Sequence, residues 1–542
     1  MGLYANQVGY PSAAKKVAVS TKKCKFQVLS AESGEVVFEG ESTSAKYDAA
    51  AGEDAFAIDF TAFTQPGTYY VQADSGEKSH PFVIADKPYV QLHKDMLKAL
   101  YYQRCGCALE EEHAGVYTHA ACHTAPAIHY ADFAAKTENP QTFDMAGGWH
   151  DAGDFGRYST PAAVAVAHLL YAYELFPKSF QDTLLIPESG NDMPDVLNEC
   201  MYELEWLMKM QAEDGGVYHK LTAYRHAPFV MPEEDLDQFL IYPVSSMAVA
   251  DFAAVMALTS RVYKSFRPEF AREALEKAKK SWKWLCENPY VGFRNPEGSG
   301  TGEYGDYSDE DERFWAACEM LCADSENREE YIEAIRKYGD KVGKLDFGWT
   351  DVSAFGSLCL MTDGEALCPE DILTNVRDIV FTEADRLLAV QADMGYGAGM
   401  EPDDYCWGSN MVVCNRGMLL ALCAIKAADD KAVAYKEGVL AQLHYLLGKN
   451  ATDYSYVTGH GEHAFKNPHN RPTACDGIEE PMPGWVSGGP NRIPCDEAAV
   501  KMIAPGTPPM KCYVDHVDSY STNEITIYWN SPAIFMTAFL NQ

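Results

Sequence analysis

The chain has 542 residues, with 44 Lys and Arg against 79 Asp and Glu, which gives a formal net charge of −35. A chain of this length needs more than one domain. Its 47% hydrophobic and 23% charged residues are typical of a folded protein. The acidity disfavours nucleic-acid binding, which needs a basic face, and equally disfavours an anionic membrane surface. We expect a monomer that has neither nucleic acid nor a membrane as partner.

The compartment is left open by the sequence. Residues 1–16 contain no apolar core of a signal peptide, so the sequence fits either an intracellular protein or a mature chain whose signal has been removed. Its 16 cysteines have scattered spacing, unlike the framework of a small disulfide-rich domain. The pattern predicts mostly reduced thiols, with room for one metal site.

Residues 1–86 have the pattern of a small β-sandwich. Short apolar runs recur and turn residues separate them, which predicts antiparallel strands. The runs are KKVAVS (15–20), KFQVLS (25–30), EVVFEG (35–40), AFAIDF (55–60), TYYVQA (68–73) and HPFVIA (80–85). We place the domain boundary at residue 86.

Residues 87–542 change to a helical period. The predicted helices cover 88–104, 160–175, 193–212, 243–263, 268–287, 309–322, 328–339, 349–361, 373–390, 408–426, 430–446 and 527–541. So many helices in one domain predict helix pairs that close into a toroid, because no repeat period indicates an open solenoid. We expect the functional site on the long connections, which are 105–158, 214–242, 288–308 and 448–526.

The densest chemistry lies in the segment GGWHDAGDFGRY, residues 147–158. Asp151 and Asp154 are three residues apart in a glycine-rich loop, and glycine lets a backbone approach a ligand closely. Trp149 and Tyr158 offer flat apolar faces to a sugar ring. The alternative interpretation is an acidic turn that caps the following helix.

Two further segments carry polar groups near the end of the chain. Glu524 follows an acidic, hydroxyl-rich stretch, although an acid in the first turn of a helix is also favoured by the helix dipole. His469 and Arg471 lie on the proline-stiffened loop NPHNRP, residues 467–472. By contrast, Gly300–Gly305 matches GxGxxG without a preceding strand, and we interpret that match as chance.

Together these segments resemble glycoside hydrolase family 9, a group of cellulases and related β-glucanases. The resemblance covers nearly the whole chain and rests on NQVGYP (6–11), GGWHDAGDFGRY (147–158), FVMPEED (229–235), YCWGSN (405–410), NPHNRP (467–472), PMPGWVSGGPN (481–491) and DSYSTNEITIYWNSP (518–532). It implies a mainly α fold. The expected architecture is an (α/α)6 barrel catalytic domain at 87–542, preceded by an immunoglobulin-like β-sandwich at 1–86.

The resemblance also implies roles for the three carboxylates. Glu524 corresponds to the general acid, Asp154 to the general base that activates water, and Asp151 to the residue that helps to hold that water. Inversion of the anomeric centre then requires about 6.5–9.5 Å between the acid and the base. The candidate sugar-contacting residues are Trp149, Tyr158, Trp407, His469, Arg471, Trp485 and Tyr520. Each tryptophan has core packing as its alternative, and Asn470 stands where the family commonly has His.

Two metals are candidate cofactors, and no organic cofactor is expected. Two Cys and two His suit tetrahedral zinc, and the resemblance implies a structural zinc at Cys105, Cys122, His123 and His150. Cys107 and His119 are nearby rivals, and by spacing alone the five His and three Cys between 105 and 150 could equally be scattered core or surface residues. Carboxylates in and beyond the acidic stretch 305–312 suit calcium. The calcium candidates are Asp311, Glu312 and Asp351, with a solvated helix start as the alternative.

We therefore expect an inverting endo-β-1,4-glucanase that cleaves cellulose, soluble β-glucans or cellodextrins. One alternative is an exo-acting cellodextrinase or glucosaminidase on short oligosaccharides. Another is a non-catalytic carbohydrate-binding protein, which is disfavoured because all three carboxylates are present. A helical-pair cyclase or lyase is a remote third option, because it needs neither the β-sandwich nor the NPHNRP loop.

Overall fold

A computed structural model describes residues 2–339 and 345–542, so Met1 at the start of the predicted sandwich lies outside the described residues. The chain forms two compact units. The first unit contains residues 1–99, 382–473 and 479–542, and the second contains 100–381 and 474–478.

The N-terminal strands of the first unit form a β-sandwich. They are β1 (Leu3–Tyr4), β2 (Gly9–Pro11), β3 (Val17–Ser20), β4 (Lys25–Ser30), β5 (Val36–Glu41), β6 (Lys46–Asp48), β7 (Glu53–Asp59), β8 (Gly67–Ala73) and β9 (Phe82–Ala85). One sheet has the order β1-β3-β7-β6 and the other β2-β9-β8-β4-β5. Ile58 from the first sheet and Val28 and Val71 from the second share one buried apolar cluster. All six predicted strands are present, and the three that the sequence missed have only two or three residues each.

The rest of the chain is mainly helical. The helices are α1 (Val90–Tyr101), α2 (Glu111–Ala114), α3 (Tyr130–Ala135), α4 (Ser159–Leu175), α5 (Asp195–Lys209), α6 (Ser246–Val262), α7 (Pro268–Glu287), α8 (Glu310–Ala323), α9 (Arg328–Gly339), α10 (Ser353–Met361), α11 (Glu370–Asp393), α12 (Ser409–Lys426), α13 (Asp429–Leu446), α14 (Arg471–Cys475), α15 (Glu497–Met502), α16 (Tyr520–Asn523) and α17 (Ile527–Leu540). All twelve predicted helices occur. In the described ranges, the structure adds five helices that the sequence missed, with four to six residues each.

The helices pack in pairs, and the two helices of the pair α6–α7 differ in how much of their surface is buried. In the second unit, α4 packs on α5, α6 on α7 and α8 on α9, and in the first unit α12 packs on α13. Helix α6 is buried at almost every position, whereas α7 buries one face and exposes its charged residues. A helix that is apolar on all sides must be surrounded by protein. Among the described residues, no helix combines the length and apolar character that crossing a bilayer requires.

Among the described residues of the second unit, four short strands escaped prediction. They are β10 (Ile128–His129), β11 (Arg157–Tyr158), β12 (Lys220–Thr222) and β13 (Leu240–Ile241), in the order β10-β13-β12-β11. Each has two or three residues, which is too short for an alternating pattern to be read. Strand β11 ends the segment 147–158, so this sheet anchors one side of it.

The motif NQVGYP joins the sandwich to helix α13 within the first unit. The side-chain oxygen of the buried Asn6 accepts hydrogen bonds from the backbone N–H groups of Val8 (2.8 Å) and Gly9 (3.0 Å). Its amide nitrogen lies 3.3 Å from the Tyr89 hydroxyl and 2.9 Å from Nδ1 of His444. A buried polar group is costly unless it is paired, and Asn6 pairs with both its own turn and the helix.

Gly484 provides a test of packing in the first unit. Its φ is +92°, and a Cβ atom there would lie 2.2 Å from the carbonyl oxygen of Asp95 in α1. We expect Gly484→Ala to destabilise the fold by about 3 kcal/mol, from backbone strain and a forced displacement of α1. The measurement is the midpoint of urea unfolding.

Gly506→Ala is the matched control, because Gly506 has φ +83° and open space around it. It should cost only the conformational penalty of about 1 kcal/mol. Equal shifts of the midpoint in the two variants would contradict close packing at Gly484.

Candidate active site

The segment 147–158, here called the carboxylate loop, is paired with the residues that follow α1. The N–H of Cys105 donates to the carbonyl of Gly148 (2.7 Å), and the N–H of His150 donates to the carbonyl of Gln103 (2.7 Å). The Gln103 side chain then donates to the carbonyls of His150 (3.1 Å) and Ala152 (2.8 Å). Every one of these bonds is accepted by a backbone carbonyl, so this part of the loop is held through its main chain.

A buried arginine closes the other end of the carboxylate loop. The Arg157 guanidinium donates to the carbonyls of Met145 (2.7 Å) and Gly147 (2.6 Å). Gly148 has φ +75°, and a Cβ atom there would meet the Trp206 ring at 2.7 Å. The glycine pair is therefore needed for the turn and for the close approach to Trp206.

The two loop aspartates have different surroundings. Asp151 is 1% exposed, and its Oδ2 accepts a hydrogen bond from the Tyr304 hydroxyl (2.6 Å). Burial raises the pKa of Asp151 well above its usual range, and the charge of Asp154 adds to this, while the Tyr304 hydrogen bond opposes it. The Oδ2 of Asp154 accepts from the N–H of Gly156 (3.0 Å) and lies 3.0 Å from Nδ1 of His226. Each carboxylate is thus oriented by its own partner.

The GxGxxG match belongs to the wall of this site rather than to a nucleotide loop. The N–H of Gly302 donates to the Tyr158 hydroxyl (3.0 Å). The buried Lys220 ammonium donates to the Thr301 hydroxyl (2.8 Å) and to the Gly302 carbonyl (2.7 Å). Burial lowers the pKa of Lys220 to about 7. Tyr158 is itself buried and packs as part of this wall.

Sequence reasoning missed Tyr304, His226 and Lys220 as site residues. All three lie in two of the long connections that the sequence analysis singled out, 214–242 and 288–308. Composition and position on a long loop were the only available signals, because the hydrogen bonds join residues that are distant along the chain.

The four predicted zinc ligands lie together beside the carboxylate loop. Ligand atoms of Cys105, Cys122, His123 and His150 lie within 4.8 Å of one another, and this group does not include Cys107 or His119. All sixteen cysteines are described and none is in a disulfide.

The distances within this cluster fit a tetrahedral metal. Nδ1 of His123 lies 3.3 Å from Nε2 of His150 and 3.6 Å from Sγ of Cys105. Zinc–nitrogen and zinc–sulfur bonds of ordinary length, at tetrahedral angles, place two nitrogens about 3.3 Å apart and nitrogen and sulfur about 3.6 Å apart. The residues present therefore fit a tetrahedral ion.

The surroundings of the cluster also suit a metal. Burial raises the pKa of the Cys105 thiol, but the hydrogen bond from Cys122 and the positive charge of Arg157 outweigh burial and hold it well below its usual range. Nε2 of His123 lies 3.2 Å from a carboxylate oxygen of Asp235. A carboxylate behind a ligating imidazole orients the ring and strengthens the ligand. Asp235 is the last residue of the FVMPEED motif, so this motif supplies the carboxylate that contacts His123.

Glu524 lies in the first unit, between α16 and α17. Its backbone pairs with that of His469, and its carbonyl accepts from the N–H of Gly488 (2.8 Å). The N–H of His469 donates to the carbonyl of Asn523 (2.9 Å). The motifs NPHNRP and PMPGWVSGGPN therefore hold the Glu524 backbone from both sides, and its side chain is half-buried.

Asp515 fixes the NPHNRP loop. Its carboxylate accepts from the N–H groups of Lys466 (2.8 Å) and Asn467 (2.8 Å) and from the Asn523 amide (3.0 Å). Nδ1 of His469 lies 2.6 Å from the Val517 carbonyl, which fixes the imidazole. Arg471 is buried at the start of α14.

The candidate aromatic platforms divide into two kinds. Trp407 is 47% exposed, and its ring lies 5.3 Å from that of Tyr520, which in turn lies 5.9 Å from the His469 ring. Trp149 and Trp485 are 1% and 0% exposed. The structure thus places these two in the packed interior, where the indole of Trp149 donates to Glu199 (2.8 Å).

The calcium candidates show an unsatisfied carboxylate but no ligand cluster. Glu312 is fully buried, and neither of its oxygens has a hydrogen-bond partner among the described residues. Asp311 instead accepts from the N–H of Val352 (2.9 Å), and Asp351 accepts from that of Ser353 (3.0 Å). In the described part of the chain, the groups of three or more ligand atoms within 4.8 Å do not include these residues.

Comparison with known proteins decides the family. The family model "Glycosyl hydrolase family 9" matches residues 89–537, and "Cellulase N-terminal ig-like domain" matches residues 4–78. The chain belongs to glycosyl hydrolase family 9. The predicted fold class, an (α/α)6 barrel preceded by an immunoglobulin-like β-sandwich, is confirmed. So is the prediction that the protein is a glycoside hydrolase that cleaves β-1,4-glucosidic bonds.

Relatives of this family 9 chain include a cellodextrinase of Butyrivibrio fibrisolvens, 44% identical, with 98% of each chain covered. Endoglucanase D of Acetivibrio thermocellus is 33% identical and covers 99% of this chain and 83% of its own. Among solved structures, AaCel9A in complex with cellobiose-like isofagomine has a TM-score of 0.92 and 34% identity, with 100% of both chains covered. A Zn-binding triple mutant of the family 9 endoglucanase J30 has a TM-score of 0.90 and 31% identity, over 98% of this chain and 100% of that one.

Gln103 tests how the carboxylate loop is held. Gln103→Leu removes the donor that serves two carbonyls and leaves both buried without that partner. We expect a loss of stability of about 2 kcal/mol, measured as a lower urea-unfolding midpoint.

Gln181→Leu serves as the control, because Gln181 is exposed. It should change stability by less than about 0.5 kcal/mol. A Gln103→Leu variant as stable as this control would show that the loop does not depend on Gln103.

Proposed function

We propose that this family 9 enzyme hydrolyses β-1,4-glucosidic bonds with inversion, with Glu524 as general acid and Asp154 as general base. The observation that carries the proposal is the carboxylate loop, which holds two separately oriented aspartates on a backbone fixed from both ends. Asp154 removes a proton from water as the water oxygen bonds to the anomeric carbon. Glu524 gives its proton to the departing glycosidic oxygen, so one bond forms and one breaks on opposite faces.

The two loop aspartates are assigned different tasks. Asp154 has the N–H of Gly156 and the His226 ring against its Oδ2, and these contacts aim its carboxylate. Asp151 is more deeply buried and is fixed by Tyr304, which suits a residue that holds the nucleophilic water in place. Positioning of the reactants is itself a large part of enzymatic rate enhancement.

Sugar binding is assigned to the exposed or polar members of the predicted set. Trp407 and Tyr520 offer accessible rings, and His469 and Arg471 offer donors for sugar hydroxyls. We do not assign stacking to Trp149, Tyr158 or Trp485, because their burial leaves no free face.

The proposed substrates are soluble β-glucans and cellodextrins, with endo cleavage as the main action. An exo-acting cellodextrinase is the second candidate, and the 44% identity to the Butyrivibrio fibrisolvens cellodextrinase supports cellodextrins as its substrate. The ratio of viscosity loss to reducing sugar released from carboxymethylcellulose separates the two. A steep early viscosity loss supports endo action, and a flat viscosity with rising reducing sugar supports exo action.

The carboxylate assignment predicts the effect of two substitutions. Asp154→Asn and Glu524→Gln keep the shape of each side chain but remove base and acid, so we expect kcat on cellopentaose to fall by about a hundredfold or more. Product anomers followed by NMR should show inversion in the native enzyme.

Asp144→Asn and Glu497→Gln are the controls, since both side chains are exposed carboxylates. They should keep native turnover. Near-native turnover in either Asp154→Asn or Glu524→Gln would overturn the assignment of that residue.

For the metal beside the carboxylate loop, we propose zinc, held by Cys105, Cys122, His123 and His150. A closed set of four protein ligands leaves no open position, which is typical of a structural site. The ion would brace the loop next to Asp151 and takes no part in bond cleavage. Calcium at Asp311, Glu312 and Asp351 is a further proposal, supported by the unpartnered carboxylate of Glu312.

Asp235→Asn tests the zinc site without removing a ligand. Loss of the carboxylate behind His123 should weaken zinc binding by about 10- to 100-fold, measured by competition with a chromophoric chelator. Asp237→Asn is the control, because Asp237 is exposed two residues away. Native protein purified without chelators should hold zinc, and its absence would refute the site.

A further inference from the structure

A second group of metal-ligating side chains lies in the first unit, away from the carboxylate loop in sequence. Ligand atoms of His80, Asp453 and His463 lie within 4.8 Å of one another. His80 lies two residues before the sandwich strand β9, whereas Asp453 and His463 belong to the loop that follows α13. All three side chains are partly exposed. The group therefore joins the sandwich to a loop of the helical part of the same unit.

His80 has one carboxylate on each ring nitrogen. Its Nε2 lies 3.2 Å from Oδ2 of Asp453, and its Nδ1 lies 2.7 Å from Oε2 of Glu462. Two ligands of one first-row metal ion lie about 2.9–3.4 Å apart when bonds and angles are ordinary. The distance between Nε2 of His80 and Oδ2 of Asp453 is therefore the one expected for two ligands of the same ion. Glu462 takes the outer position from which a carboxylate orients a ligating imidazole.

The ring of His463 is held in place from several sides. Its Nδ1 lies 3.0 Å from the carbonyl of Asp453, so Nε2 is the nitrogen left to bind an ion. The ring stacks on Tyr454, with centroids 4.1 Å apart. Gln7 accepts from the N–H of His463 (2.8 Å) and donates to the Asp453 carbonyl (2.7 Å). These contacts organise the ligands in advance, which lowers the entropy cost of binding.

Asp453 itself carries two marks of a functional position. Its φ is +62°, a region that non-glycine residues rarely adopt. Its Oδ1 is buried and has no hydrogen-bond partner among the described residues. Strained backbone and an unsatisfied buried oxygen both cost free energy. A cation bound at the carboxylate would satisfy that oxygen.

We propose that His80, Asp453 and His463 bind a divalent first-row transition metal ion of the zinc class. Two imidazoles and one carboxylate suit such an ion, whereas calcium and magnesium prefer oxygen ligands alone. Water completes the coordination, since the three side chains are partly exposed. The ion links β9 of the sandwich to the loop 447–464 and is independent of the proposed catalytic role of the enzyme.

A proton is the competing occupant of the same position. The hydrogen bond to Asp453 raises the pKa of His80 to about 9, with burial opposing it and Glu462 adding to it. A metal ion has to displace this proton, as is general for imidazole ligands. Metal affinity should therefore rise with pH.

The test is a titration of the full chain with Co²⁺, with its cysteine-rich metal site left as purified. Imidazole and carboxylate ligands give weak visible d–d bands without the strong near-ultraviolet band that thiolate ligands add. We expect the native protein to bind one equivalent of Co²⁺ that has this spectrum. Zn²⁺ should displace it.

Two variants and a control assign the ligands. His463→Ala and Asp453→Asn should each weaken this equivalent at least tenfold, and Asn suits the left-handed backbone at position 453. His460→Ala is the matched control, because His460 lies in the same loop and pairs with Asp95 instead (3.0 Å). It should bind as the native protein does.

Two results would overturn the proposal. One is a native protein that shows no such equivalent, or only bands of thiolate ligation. The other is an equivalent that His463→Ala and Asp453→Asn leave unchanged. Because the readout is metal binding, failure here is distinct from failure of the catalytic assignment, which is measured by sugar release.

Discussion

The pairing of residues 103–105 with residues 148–150 is the constraint on which the rest of the catalytic half depends. Two backbone hydrogen bonds and the Gln103 side chain fix the chain immediately before Asp151. The same three residues end in Cys105, and the same loop contains His150, so the metal cluster and the aspartates share one piece of fixed backbone. A one-residue shift in the pairing of these two segments would displace the metal ligand His150 and the carboxylate of Asp151 together.

Buried charged residues also stabilise the paired segments 103–105 and 148–150. Arg104 is 2% exposed and donates to both Glu199 (2.8 Å) and Glu188 (2.9 Å), and Glu199 also accepts from the Trp149 indole (2.8 Å). Breaking one partner of such a network leaves an uncompensated charge in the interior. The network therefore links Trp149 of the carboxylate loop to Arg104 through the shared acceptor Glu199. It also explains why this tryptophan packs inward instead of facing a sugar.

The helices and the longer strands could be predicted because their signals are local. Helices α7 and α9 have the predicted boundaries. Their signals, which are the hydrophobic period and the residues at each end, all lie in or next to the helix. The zinc candidates were also found, through residue type and family resemblance. The contacts of Tyr304 and His226 could not be predicted, because each depends on a partner at least 70 positions away. The burial of Trp149 and Trp485 could not be predicted either, because tryptophan occurs both in packed cores and as a stacking surface for sugars.

Helix α1 has a consequence for the order in which the chain can fold. Its Met96 carbonyl accepts from Asn530, which is 434 positions later, and His93 contacts the Thr537 hydroxyl, 444 positions later. During synthesis, Asn530 and Thr537 therefore emerge 434 and 444 residues after their partners in α1. The first unit combines residues 1–99 with 382–473 and 479–542, so it is completed only after residues 100–381 have emerged. Contacts at such separation close slowly, so α1 reaches its final packing late in folding.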